Sequence, residues 1–180
     1  MGRRALLYAI ITLALLSLSW LLFGKWLLSK MRSVENDQTT LDELAGLCAQ
    51  FGIPVNLAKG FIKEESSWDP RAYNPPSSSN ALASYGLMQI TLMVAQDAGL
   101  VADWRNPTDD EIEACYDPYN NMLAGLGDFA KVYGRYPLDV AIQMYNVGET
   151  GYNVEGWRNE AYAANVMKYY QDYGGGGDDV

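Results

Sequence analysis

The sequence predicts a mainly α-helical protein with at most a small β-hairpin, preceded by one N-terminal transmembrane helix. Three observations predict it. Apolar residues recur at helical spacing after residue 40, no Val/Ile/Thr-rich alternation is long enough for a substantial sheet, and an uncharged run, "ALLYAIITLALLSLSWLLF", fills Ala5 to Phe23. The 180 residues suffice for one domain with a hydrophobic core and not for two large ones.

The apolar run is about as long as a helix needs to cross the roughly 30 Å hydrocarbon layer, and Trp20 and Trp26 suit its interfaces. Arg3 and Arg4 resemble the basic start of a cleaved signal peptide, but the run is longer than such peptides need and lacks a small-x-small cleavage site. A retained signal anchor over residues 1–32 is therefore expected. Lys25, Lys30 and Arg32 follow the span as Arg3 and Arg4 precede it, so the positive-inside count does not choose an orientation.

Residues 33–39 read as a polar linker, 40–173 as the folded domain and 174–180, "GGGGDDV", as a flexible Gly-rich tail. Thr40 and Glu43 have capping-box spacing, and Leu41, Leu44, Leu47, Cys48 and Phe51 continue a helix that Gly52 and Pro54 end. A second helix is expected from Asn56 to Ser67, then a loop through "DPRAYNPPSSSNALASYG", with any hairpin in the 70–90 region. Further helices are expected over Leu87 to Ala98, between the prolines of "NPTDDEIEACYDP", and over Tyr119 to Tyr133, Leu138 to Tyr145 and Glu160 to Tyr173.

All 22 acidic residues follow residue 33, against eight of the 13 basic ones, so that region carries about −14 behind a +5 foot. Such a head is repelled by nucleic acid, whereas the foot suits lipid headgroups. Histidine is absent, and Cys48 and Cys115 lack metal-ligand spacing, so neither a metal nor another cofactor is expected. The two cysteines suit one disulfide in an oxidising compartment, or two ordinary buried thiols.

Two adjacent glutamates in "KEESSWDP" behave differently on a helical wheel. With Phe61 at 0°, Leu57, Ala58 and Ile62 centre an apolar arc at about 30°; Glu65 falls near 40°, inside it, and Glu64 near −60°, beyond its edge. A carboxyl in an apolar stripe is costly to ionise, which raises its pKa toward what a general acid needs near neutral pH. The alternative is that the helix frays before residue 65 and both carboxylates are solvated.

"EESSWDP", "SYGLMQI", "DPYNNMLAG" and "MYNVG" together resemble the lysozyme-like lytic transglycosylases, which cut bacterial peptidoglycan. Four family features appear in order between about Leu41 and Tyr170: Glu65-Ser66, Gly86 to Gln89, Tyr145 to Gly148, and Tyr162 with Val166. The resemblance implies a lysozyme-like fold with Glu65 as the catalytic acid. It further implies that Glu65 protonates the β-1,4 bond between N-acetylmuramic acid and N-acetylglucosamine, then takes a proton from the muramyl C6 hydroxyl to close a 1,6-anhydro ring. Gln89, Tyr145, Asn146 and Tyr162 are the implied hydrogen-bonding partners of the sugars or the acid, and Ser66, grouped with them as substrate-binding, is expected to steady the helix end or to help set the Glu65 geometry.

Asp69 and Glu149 are the motif-linked candidates for a second carboxylate, as a lysozyme-type hydrolase would need. The remaining alternative is a non-catalytic glycan-binding or structural membrane protein. The loop before Gly86 is longer than in many relatives, and "TLMVA" follows Gln89 where a Met-Pro-x-Thr-Ala run is usual. The expected partners are glycan strands and, through the N-terminal helix, a lipid membrane. The head then faces the periplasm from an inner membrane or belongs to the internal membrane of a phage virion, the long loop before "SYGLMQI" resembling phage-type members.

Overall fold

Asp37 opens the first helix, α1 (Gln38–Phe51), because its carboxylate accepts from both the backbone N–H (2.9 Å) and the hydroxyl (2.8 Å) of Thr40. The Thr40/Glu43 capping box is therefore not used: the Asp37 carboxylate, three residues before Thr40, satisfies the Thr40 N–H instead. These bonds hold the Asp37 carboxyl below its ordinary range. The computed structural model describes residues 33–76 and 82–176, so the apolar run of Ala5 to Phe23 lies outside the described residues. No described helix is long and apolar enough to cross a membrane.

The polar stretch expected as a linker is tied to the domain from Val34 onward. Val34 N–H donates to the Trp68 carbonyl (3.0 Å), the Tyr173 hydroxyl donates to Glu35 (2.6 Å), and Lys63 pairs with Glu35 at 3.4 Å. At the other end, the Gly174 and Gly175 N–H groups cap the carbonyls of Gln171 and Tyr170, both at 2.9 Å.

The second helix, α2 (Val55–Ser66), buries Leu57, Ala58, Phe61 and Ile62 completely, the arc that helical periodicity selects. It stops because Ser67 and Trp68 both take left-handed conformations, φ 52° and 65°. Two such non-glycine residues are strained, and the strain is offset by Trp68, whose ring is wholly buried and whose indole N–H donates to the Tyr173 hydroxyl (3.0 Å). Glu65 is thereby left in the last helical turn.

Where a single hairpin at most was expected, three two-residue strands form an antiparallel sheet in the order β1 (Tyr73–Asn74), β2 (Ser84–Tyr85), β3 (Ile90–Thr91). Tyr73 faces Tyr85, which faces Ile90. The third strand lies inside the stretch Leu87 to Ala98 read as helix. Gly86 and Gln89 adopt positive φ (72° and 48°), which breaks helical continuity, and helix α3 is confined to Leu92–Asp97 with Thr91 as its cap.

The remaining helices are α4 (Asp109–Ala114), α5 (Pro118–Ala130), α6 (Leu138–Val147), a five-residue α7 (Glu149–Asn153) that periodicity did not predict, and α8 (Glu160–Asp172). A true capping box does occur, at α4, between Thr108 and Glu111. Helix α2 packs along α8, α1 along α5 and α6 along α8. Gly60 permits the first of these, since a Cβ there would lie 2.9 Å from the Val166 carbonyl oxygen of α8. Phe61 sits at the centre of an aromatic cluster, with ring centroids 4.6 Å from Phe129, 5.0 Å from Tyr145 and 6.5 Å from Tyr162. That cluster lies one helical turn before Glu65. Cys48 and Cys115 are both free and buried, and burial raises their thiols to about 12 and about 11.

Candidate active site

Helical periodicity aims Glu65 at the aromatic core, but its carboxyl stops at the surface of a cleft. The residue is half-buried and lines a cleft of about 1260 Å³, larger than the roughly 300–1,000 Å³ of ordinary small-molecule sites. Its walls come from the end of α2, from β1, from Gln89 to Thr91, from the end of α6 and from Trp157 to Asn159, with Asp128 of α5 between them.

Desolvation raises the Glu65 pKa to about 7; a hydrogen bond from Tyr162 opposes this and the neighbouring Glu64 charge adds to it. The Tyr162 hydroxyl donates to Glu65 Oε1 at 2.5 Å across 97 residues of sequence. Burial and the adjacent Glu65 push the Tyr162 phenol well above its ordinary range, so it keeps its proton and acts as a donor. Near neutral pH Glu65 thus divides between acid and carboxylate, able to release a proton and to take one back.

Two further carboxylates line the cleft. Glu64 accepts from the Asn165 amide (3.0 Å), and Asp128 is paired with Lys131 (3.0 Å). Asp69 accepts from the Arg71 backbone N–H (2.9 Å), while Glu149 is held by Arg135 (3.1 Å) and the Tyr136 hydroxyl (2.8 Å). Neither Asp69 nor Glu149 lines the cleft.

The other residues singled out in the sequence converge here, with roles that the spacing did not reveal. Tyr145 lines the cleft and donates to the Met88 carbonyl (2.7 Å), which joins α6 to the turn before β3. Asn146 accepts from the Asn159 amide (2.8 Å), and Asn159 Oδ1 in turn accepts from Tyr162 N–H (3.1 Å) as the cap of α8. Ser66 donates to the Ile62 carbonyl one turn back (3.1 Å). Gln89 lines the cleft, yet its amide nitrogen donates to the carbonyls of Gly86 (2.9 Å) and Ala72 (3.2 Å), and its oxygen accepts from Ser84 (2.8 Å). Both amide donors are therefore spent on shaping the cleft wall, and one lone pair of the oxygen is what remains for a ligand.

Asn121 was missed. It is fully buried, accepts from Met88 N–H (2.7 Å) and donates to the carbonyls of Tyr85 (2.8 Å) and Cys115 (2.7 Å), fixing the turn that carries Gln89. A signal existed: along α5 Asn121 shares the apolar stripe of Gly125 and Phe129, as Glu65 shares that of Phe61. Asp128, Arg158 and Asn159 had no comparable signal, because a half-buried or exposed polar residue on a helix or loop is ordinary.

Residues 47–169, about two thirds of the chain, match the family model described as the Transglycosylase SLT domain. No curated protein and no solved structure gave a significant match. The match spans Glu65, the Gly86 to Gln89 turn, Tyr145 and Tyr162 in one stretch, on a mainly helical lysozyme-like frame. The chain belongs to the transglycosylase SLT domain family and is a peptidoglycan lytic transglycosylase.

Proposed function

We propose that Glu65 is the single acid–base group of a reaction that leaves 1,6-anhydromuramic ends. Protonated Glu65 delivers its proton to the glycosidic oxygen of the departing N-acetylglucosamine while the muramyl C1–O bond breaks. The substrate's acetamido oxygen stabilises the cation that develops at C1. Ionised Glu65 then removes the proton of the C6 hydroxyl, whose oxygen bonds to C1, and no water is consumed. The observation that carries this reading is the desolvated Glu65 carboxyl, bonded to a neutral phenol, beside cleft carboxylates that are engaged by Asn165 and Lys131.

Digestion of purified peptidoglycan and mass analysis of the muropeptides tests it, since anhydro ends are lighter than reducing ends by one water. Reducing ends alone identify a hydrolase. The same proposal places the head on the wall-facing side of a membrane, anchored through residues 1–32, in an inner membrane or in the internal membrane of a phage virion. Alkaline extraction of membranes carrying the full chain checks the anchor: the protein stays with the lipid, and its release removes that part of the proposal.

Tyr162→Phe should separate the acid from its tuning. Loss of the donated hydrogen bond lets desolvation act unopposed, so the Glu65 pKa rises above about 7. The alkaline limb of the kcat/KM profile then moves to higher pH, with the maximum rate reduced on the order of tenfold because the carboxylate is held less well. A limb that stays in place, or moves to lower pH, contradicts the role given to Tyr162.

A further inference from the structure

Among the described residues that line the cleft, Arg158 is the only cation, against Glu64, Glu65 and Asp128. Its guanidinium is fixed in place. Nη1 donates to the carbonyls of Tyr152 (2.8 Å) and Trp157 (2.7 Å), and the guanidinium carbon lies 3.6 Å from the centroid of the Tyr152 ring. Arg71 and Arg135 each meet a glutamate, whereas Arg158 is exposed and pairs with no carboxylate among the described residues. Its Nε and Nη2 donors meet no protein acceptor there, which leaves the half of the fork suited to a carboxylate available.

Its neighbours are built into the site. Trp157 is 58 % exposed, and Gly151 makes room for it, since a Cβ there would come 2.5 Å from the indole. On the other side Asn159 binds Gln143 and Asn146 and caps the helix of Tyr162. Arg158 thus holds a set position relative to the helices that carry Tyr145 and Tyr162. The sugars themselves offer a guanidinium only neutral hydroxyl and acetamido groups; the anions of the substrate are the carboxylates of its stem peptides or, on strands stripped of peptide, the lactyl carboxylate of the muramyl residue. In a region whose net charge is about −14, an anionic stem is otherwise repelled.

We propose that Arg158 is a subsite for a stem-peptide carboxylate, which makes this enzyme selective for glycan strands that carry their peptides. The inference rests on the cleft of Glu65 being the glycan site, and binding tests it apart from the reaction. In the Glu65→Gln protein, affinity is measured for peptide-bearing strands, for the same strands with the stem carboxylates amidated, and for stripped strands. Native stems should bind about tenfold tighter than amidated ones, the gain of one charge-assisted fork. Arg158→Gln in that background should abolish the difference, and Arg158→Lys, which keeps the charge without the fork, should retain part of it.

Equal affinity for native and amidated stems in the Glu65→Gln protein overturns the proposal without any change at residue 158. So does an Arg158→Gln loss that is the same on all three strands, which marks a structural role, or one confined to stripped strands, which assigns the lactyl carboxylate instead. The chemistry fails separately, if the protein with Glu65 intact yields only reducing ends.

Discussion

Glu65→Gln is expected to lower glycan cleavage by about 10²–10⁴-fold, the usual contribution of a positioned general acid, and at the same time to raise the melting temperature at neutral pH. The second effect follows from linkage. The folded-state pKa of about 7 lies above the ordinary glutamate value of 4.5, so between these pH values the native protein holds a proton that the unfolded chain has released. Rising pH then favours unfolding, and above pH 7 the full cost, up to about 3 kcal/mol, is in place. Glutamine carries no such cost. The melting temperature should therefore be unchanged near pH 4 and increased most near pH 8, read by thermal unfolding across that range. In the unsubstituted protein kcat/KM should fall as pH rises through about 7, where the acid form is lost. Glu64→Gln is the control, because its carboxylate accepts from the exposed Asn165 amide. If Glu64→Gln proves the more damaging change, the assignment of the acid is wrong.

Asn121→Ala is expected to have the largest effect on stability of any single polar substitution near the cleft. Three buried backbone groups, the Met88 N–H and the carbonyls of Tyr85 and Cys115, lose their partner at once. At roughly 1–3 kcal/mol for each buried group left unsatisfied, and with partial relief by water entering the vacated volume, the loss should be about 3 kcal/mol. For a unit of this size that corresponds to a melting temperature lower by about 10 °C. Activity should fall below what unfolding accounts for, because Met88 also accepts the Tyr145 hydroxyl and the same turn presents Gln89. A change of less than about 2 °C would mean that the turn is held by its own backbone and that Asn121 is incidental.

The placement of Glu65 beside the apolar face was legible in the sequence because the information is local. Phe61, Ile62 and Glu65 share one helix, and a period of 3.6 residues decides which side chains share a face. The same locality explains why helix positions were read within a few residues, and why Gly52 marks the end of α1. It also explains the error at 87–98. Gly86 and Gln89 have positive φ, and the apolar content of "GLMQITLMVA" satisfies both a helix and a strand followed by a helix.

Gln89 shows where pattern reasoning stops. Its place in a family-like run marked it as a site residue, which its position in the cleft wall supports, but nothing in the run indicated that its amide faces Gly86 and Ala72. That choice depends on where Ala72 and β1 lie, and β1 is placed by pairing Tyr73 with Tyr85.

By itself the sequence determined the helical class, the acidic head, the glutamate that shares the apolar face of its helix and the family whose pattern surrounds it, since each rests on composition or on spacing within one element. Only the tertiary structure decided that Tyr162 tunes Glu65, that Asn121 holds the turn of Gln89, that the two thiols are free, and that Arg158 meets no carboxylate among the described residues at the cleft. Each of these depends on which elements meet. That is settled by the packing of α2 on α8 and α1 on α5, contacts between residues far apart in the chain whose partners no local period specifies.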